Sequence, residues 1–97
     1  MKEPKIKTTQ DKIAEICDNM KSFLIEKNKR YGDSALNPAL IFSKIDAENS
    51  ICVRLDDKIN RIQNSIILKE NDVVDCIGYL VLLCVSKNWK NFNKFLD

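Results

Sequence analysis

Apolar side chains recur at every third or fourth position through most of the chain, the spacing of one face of an α-helix. In the first third, Ile13, Ile16, Cys17, Met20, Phe23 and Leu24 keep this period and predict a helix from about Gln10 to Arg30. Thr8, with Asp11 three residues on, forms a capping arrangement in which Asp stands in for Glu. Gly32 is placed to end the helix. The stretch PALIFSK can open a short helical turn at Pro38, because proline is tolerated at a first helical position.

A second period runs through ICVRLDDKINRIQNSI. Ser50 is the cap candidate before it, and Ile51, Leu55, Ile59, Ile62 and Ile66 form its apolar stripe. Asp57, Asn60, Arg61 and Asn64 gather on the opposite side, which is therefore polar. Asn71 is the expected N-cap of a third helix. There Val73, Val74, Ile77, Leu80, Val81 and Cys84 share one side, while Asp72, Asp75 and Tyr79 share the other. Leu82 and Leu83 carry apolar character round to the aspartate side, so this helix is expected to be buried nearly all round, with only its acidic mouth open. Gly78 at mid-helix costs about 1 kcal/mol relative to alanine and suggests close approach of another backbone. The last segment, SKNWKNFNKFLD, spaces Trp89, Phe92 and Phe95 or Leu96 as a short amphipathic helix.

Composition narrows the fold. The 97 residues make one domain, with residues 1–8 as a flexible basic lead. Two glycines and two prolines are too few for an all-β chain with many tight turns, so the expected class is all-α: a small bundle of three main helices with short accessories. A formal charge of +2, with the lysines spread out, gives no nucleic-acid footprint. The apolar run from Val73 to Val85 is too short to span a bilayer, and the N-terminal residues lack the apolar stretch of a signal peptide, which together point to the cytoplasm. There is no histidine, and the four cysteines have no CxxC spacing. Most zinc sites and every Ser-His or Cys-His arrangement are thereby excluded, and the cysteines read as buried reduced thiols.

The charged residues are where chemistry could lie. Asp72 and Asp75 project from one helix face and could share a Mg²⁺ ion, which takes oxygen ligands. Asp56 and Asp57 on the second helix would join them if the two helices pack antiparallel through a short turn. The competing reading is simpler: acids suit the positive end of a helix dipole. In KNKRYGDS the bases and Tyr31 could hold a phosphate and stack on a base, or could merely favour the carbonyls at a helix end. Arg54, Lys58 and Arg61 are interleaved with Asp56 and Asp57, a mixture common on solvated helices.

Three stretches in order, KNKRYGDS, VRLDDKINRI and NDVVDCIGYLVLL, resemble a small phage domain associated with nucleotide modification, a relative of the MazG-like all-α NTP pyrophosphohydrolases. The resemblance covers roughly residues 20–85. In that superfamily a helix with E-E-x-x-E precedes one with E-x-x-D; Asp72 and Asp75 match the second element with Asp for Glu, and Asp56, Asp57 and Asn60 fall where the first would be.

The resemblance implies a nucleotide-binding protein that cleaves a nucleoside triphosphate to the monophosphate and pyrophosphate. It further implies Mg²⁺ on Asp57, Asp72 and Asp75, with Asp56 as a second-ion ligand or the base that orients the attacking water. Lys27, Lys58 and Arg61 would stabilise charge on the phosphates, Tyr31 or Tyr79 would face the base or sugar, Arg30 and Arg54 would complete the nucleotide-binding set, and the site would lie near the interface of a homo-oligomer. The departures are specific. Asn60 replaces a carboxylate, both leading glutamates are shortened, and Lys58 and Arg61 bring positive charge into the motif. These favour a second reading, a non-catalytic protein that sequesters a nucleotide or blocks a host enzyme. A plain interaction module docking through Trp89, Phe92 and Phe95 is the third.

Overall fold

The computed structural model describes residues 6–97. It is all-helical, with no strand among the described residues, in the order α1 (Thr9–Arg30), α2 (Ala47–Asn64), α3 (Glu70–Lys87) and a 3-10 turn, Asn93–Phe95. The chain divides into two compact units, Met1–Gly32 and Asp33–Asp97.

The first unit is α1. Its start is the expected capping box: the Thr8 backbone N–H donates to Asp11 Oδ2 at 3.0 Å, and the Asp11 N–H donates to Thr8 Oγ1 at 3.1 Å. The first five residues of the basic lead lie outside the described residues, but Lys7 is engaged, its Nζ 2.8 Å from Glu15 Oε2. The helix ends at Tyr31, and Gly32 follows with φ 59°, a left-handed conformation that glycine adopts without a Cβ penalty. No residue of α1 is fully buried; along its apolar stripe Ile13, Ile16, Cys17 and Phe23 are exposed, and Met20 and Leu24 are half-buried.

The second unit begins with a loop rather than a helical turn. Residues 38–46 carry no helix, and the turn expected at Pro38 is interrupted by Leu40 at φ 57°. α2 starts earlier than expected because Asp46 caps it in place of Ser50. Asp46 Oδ1 accepts from the Asn49 N–H at 2.8 Å and Oδ2 from the Asn49 side-chain amide at 3.3 Å, leaving Ser50 in the first turn. α3 likewise starts at Glu70, with Lys69 rather than Asn71 at the cap position and no side-chain cap bond; Glu70 and Asp72 supply the acids of its first turn.

α2 and α3 pack against each other, and two ion pairs fix them as antiparallel. Glu48 at the start of α2 meets Lys87 at the end of α3 at 2.8 Å, and Lys58 meets Asp75 at 2.9 Å. The inner stripe of α2 is Ile51, Leu55, Lys58 and Ile62, with Ile51 only 1% exposed; Ile59 and Ile66, expected in this stripe, face solvent.

On α3 the acidic side, expected to be the open one, is the more enclosed, while the expected apolar side is only partly covered, with Val74, Ile77 and Cys84 half-buried. Asp72 is buried at 4% exposure, Gly78 is buried, and Asp75, Tyr79 and Leu82 are half-buried, so the aspartate side faces α2. Val73, Leu80 and Val81, expected in the core, are exposed, and so is Val85. The physical reason lies on α2, where Lys58 shares the inner stripe with Ile51 and presents a cation to Asp75, so the acidic side can face the partner helix.

After Lys87 the expected amphipathic helix reduces to the turn Asn93–Phe95, because Asn88 adopts a left-handed conformation that ends α3. The cysteines are all free, as expected, but Cys17 and Cys52 are exposed rather than buried, and Cys76 and Cys84 are half-buried. Among the described residues no helix is long and apolar enough to cross a membrane.

Candidate functional site

The charged residues of the second unit converge on the seam between α2 and α3. Asp72 and Asp75 stand one helical turn apart on α3 and share its inner face, as their i, i+3 spacing dictates. Lys58 approaches from α2 with Nζ 2.9 Å from Asp75 Oδ2, and the two side chains are 17% and 22% exposed. At that distance and burial the ammonium and carboxylate form a charge-assisted hydrogen bond partly withdrawn from water. Tyr79, one turn beyond Asp75, lies half-buried on the same side of α3.

Arg54 and Arg61 stand four residues before and three after Lys58, so the three bases run along one side of α2. Both arginines are exposed and rim the seam. Asp56 and Asp57 are exposed as well. Asp57 precedes Lys58 and is therefore rotated about 100° around α2 from the inner face.

Lys27, Arg30 and Tyr31 belong to the first unit. The Lys27 ammonium lies 5.7 Å from the Phe23 ring centroid, a cation–π distance. Arg30 Nε is 3.2 Å from Glu26 Oε1, an exposed i, i+4 pair of the kind that contributes little to stability. Tyr31 caps α1 with an exposed ring.

The donor set can be tested for a metal. Among the described residues no three or more His, Cys, Asp or Glu side chains form a group that could hold an ion. Asp72 and Asp75 share a face, yet Asp75 has the Lys58 ammonium beside it, and Asp57 sits round α2 from Lys58. The side chains as placed do not make a three-carboxylate Mg²⁺ centre.

Two features escaped the sequence reading. Lys58, a candidate phosphate partner from the sequence, also makes an ion pair with Asp75, and its position seven residues after Ile51 places it on the inner stripe. The Glu48–Lys87 pair carried no short-range signal, because it joins opposite ends of two helices. There the Glu48 carboxylate raises the Lys87 pKa, first by hydrogen bonding and then by its charge, with smaller contributions from Cys52 and Asp46.

Compared with family models, with curated proteins and with solved structures, the chain matches none.

Proposed function

We propose that this chain is a nucleotide-binding protein of the MazG-like kind, with the α2–α3 seam and its rim of bases as the place where phosphate is met. The reading is carried by one juxtaposition: Asp72 and Asp75, the positions that match the acidic element of the superfamily, face a helix that bears Lys58 between Arg54 and Arg61. Exposed Arg54 and Arg61 can each donate to phosphate oxygens, arginine in the bidentate geometry that suits them. Tyr79 offers an aromatic surface on the same side of α3 as Asp75.

Within this reading the Lys58–Asp75 pair favours binding without Mg²⁺-dependent hydrolysis. Asp75 would have to exchange Lys58 for a metal ion, and Asn60 offers an amide where the superfamily offers a carboxylate. Hydrolysis to the monophosphate and pyrophosphate is the competing outcome. Homo-oligomerisation belongs to the proposal too, supported by the apolar outer side of α3, where Val73, Leu80, Val81 and Val85 stand exposed.

The test is equilibrium dialysis of the purified protein against a panel of ribo- and deoxynucleoside triphosphates, with and without Mg²⁺, with pyrophosphate release measured in parallel. Binding without release is the expected result, and it should weaken when Arg54 and Arg61 are both replaced by Gln. Absence of binding to every triphosphate overturns the proposal, and Mg²⁺-dependent release of pyrophosphate selects the hydrolase.

A further inference from the structure

Past α3 the chain makes a second, independent arrangement of aromatic and basic side chains. Asn88 is left-handed at φ 58°, ψ 33°, and the Trp89 N–H donates to the Cys84 carbonyl at 2.9 Å while the Asn88 N–H donates to Val85, the two bonds that close a Schellman turn. The backbone of Trp89 is thus fixed to the last turn of α3. Its ring is steadied as well: the Lys87 ammonium lies 5.9 Å from the indole centroid and is itself held 2.8 Å from Glu48 on α2. Farther on, the Phe95 N–H donates to the Phe92 carbonyl at 2.9 Å and the Leu96 N–H to the Asn93 carbonyl at 3.0 Å, which curls the segment. Between the two turns lies a concavity of about 520 Å³, lined by Trp89, Lys90, Asn91, Phe92, Lys94 and Phe95 among others.

The chemistry of that lining is specific. All three aromatic rings are more than half exposed, so water faces a large apolar area that a flat, polarisable ligand could cover. Lys90 and Lys94 bring positive charge, Asn91 brings an amide that both donates and accepts, and no acid is among the described residues that line the hollow. Aromatic faces beside ammonium groups and an amide match a base that carries a phosphate. The volume falls within the range of about 300–1,000 Å³ of small-molecule sites.

We propose that this concavity binds a single mononucleotide, its base stacked on the Trp89 and Phe92 rings and its phosphate held by Lys90 and Lys94. A nucleic-acid strand would call for a basic groove with successive stacking platforms, whereas this concavity is lined by a single run of the chain, residues 88–95, that curls back on itself. An anionic bilayer would call for an amphipathic helix, and the segment has only a three-residue 3-10 turn. None of Lys58, Asp72 and Asp75 takes part, so this site stands or falls apart from the seam.

Trp89 is the one tryptophan of the chain, so its fluorescence reports on the hollow directly. The experiment titrates AMP and ATP into the full chain while Trp89 is excited at the red edge of its band, where the bases are transparent. Saturable quenching is expected, with no response to ribose 5-phosphate or inorganic pyrophosphate. Lys90→Gln with Lys94→Gln should weaken it about tenfold, the equivalent of losing roughly 1.4 kcal/mol of phosphate attraction. Both lysines are exposed, so that variant keeps the helical circular dichroism of the parent. Lys58→Met, which alters the seam alone, should leave the quenching in place. Quenching that is unchanged by the double lysine variant, or that disappears in a folded Lys58→Met protein, overturns the proposal. So does an emission shift driven by phosphatidylserine vesicles with none from nucleotides, or affinity for a single-stranded oligonucleotide more than about a hundredfold above that for AMP.

Discussion

Whether the seam is an ion pair or an unfilled acidic site decides the sign of one substitution, Asp75→Asn. If Asp72 and Asp75 mainly repel each other, removing one charge raises the stability of the metal-free protein. If Lys58 answers Asp75 as the 2.9 Å contact indicates, removing it lowers stability. The magnitude follows from burial. Two unit charges about 4 Å apart attract by roughly 4 kcal/mol at an effective dielectric constant of about 20, and desolvation removes part of that. Exposed pairs return under about 1 kcal/mol, while breaking a buried pair costs about 3–5. With side chains 17% and 22% exposed, Lys58 and Asp75 fall between, and a coupling of about 2 kcal/mol is expected. Lys58→Met should destabilise by about 2–3 kcal/mol, because it leaves the largely enclosed Asp75 carboxylate without that cation. Asp75→Asn should destabilise by about 1–2 kcal/mol, since the amide can still accept a hydrogen bond from Lys58. Lys58→Met with Asp75→Leu should lie near the parent, as apolar replacements of buried pairs often do. Urea unfolding followed by circular dichroism closes the double-mutant cycle in metal-free buffer. A coupling below about 0.3 kcal/mol, or an Asp75→Asn protein more stable than the parent, refutes the reasoning.

Other positions give independent checks. The pKa of Lys87 is raised in the folded chain by Glu48, so this pair stabilises fully below the ordinary lysine value of 10.5 and its contribution is lost as pH rises through the higher folded value. Thermal scans at increasing alkalinity should therefore show a steeper loss of Tm in the parent than in Lys87→Met. Ile51→Ala removes the most buried side chain of the seam and should lower unfolding free energy by about 2–4 kcal/mol, whereas Ile59→Ala, on an exposed position, should change it by under about 1. Thr8→Ala opens the capping box of α1 and should cost that helix about 1 kcal/mol, read as faster amide exchange in its first turn, while Thr8→Ser preserves it.

The helices themselves were legible because each carries its period and its punctuation. Thr8 and Asp11 mark the start of α1 by side-chain chemistry alone, and Gly32 marks its end by a conformation that penalises a Cβ. Short accessories were not legible, because a single residue overrides a weak pattern over so few positions. Leu40 at positive φ removes a helical turn after Pro38, and left-handed Asn88 leaves the aromatic tail as a turn around a hollow. Caps were missed for the same local reason: Asp46 and Ser50 are both acceptable cap residues, and only the backbone at Asp46, extended at ψ 170°, decides between them.

The orientation of α3 is a different kind of problem. Apolar residues surround most of this helix, so periodicity gives no strong direction, and the aspartate side looked like the side to leave in water. The choice is made on another helix. Lys58 lies on the same stripe of α2 as Ile51, Leu55 and Ile62, and once α2 packs through that stripe a cation is already inside. An acidic face is then the matching partner for it, because a lysine facing Leu80 and Val81 would carry an unanswered charge against an apolar wall. The consequence extends to assembly. Turning Asp72 and Asp75 inward leaves the Val73 and Leu80 stripe outward, beside exposed Val81 and Val85, so the interior ion pair and much of the exposed apolar surface have one cause. Replacing Leu80 and Val81 together by Gln should therefore leave the Lys58–Asp75 coupling intact and reduce the mass measured by light scattering at micromolar concentration toward that of one 11.2 kDa chain. A parent that is already monomeric under those conditions excludes a second copy as the cover of that surface.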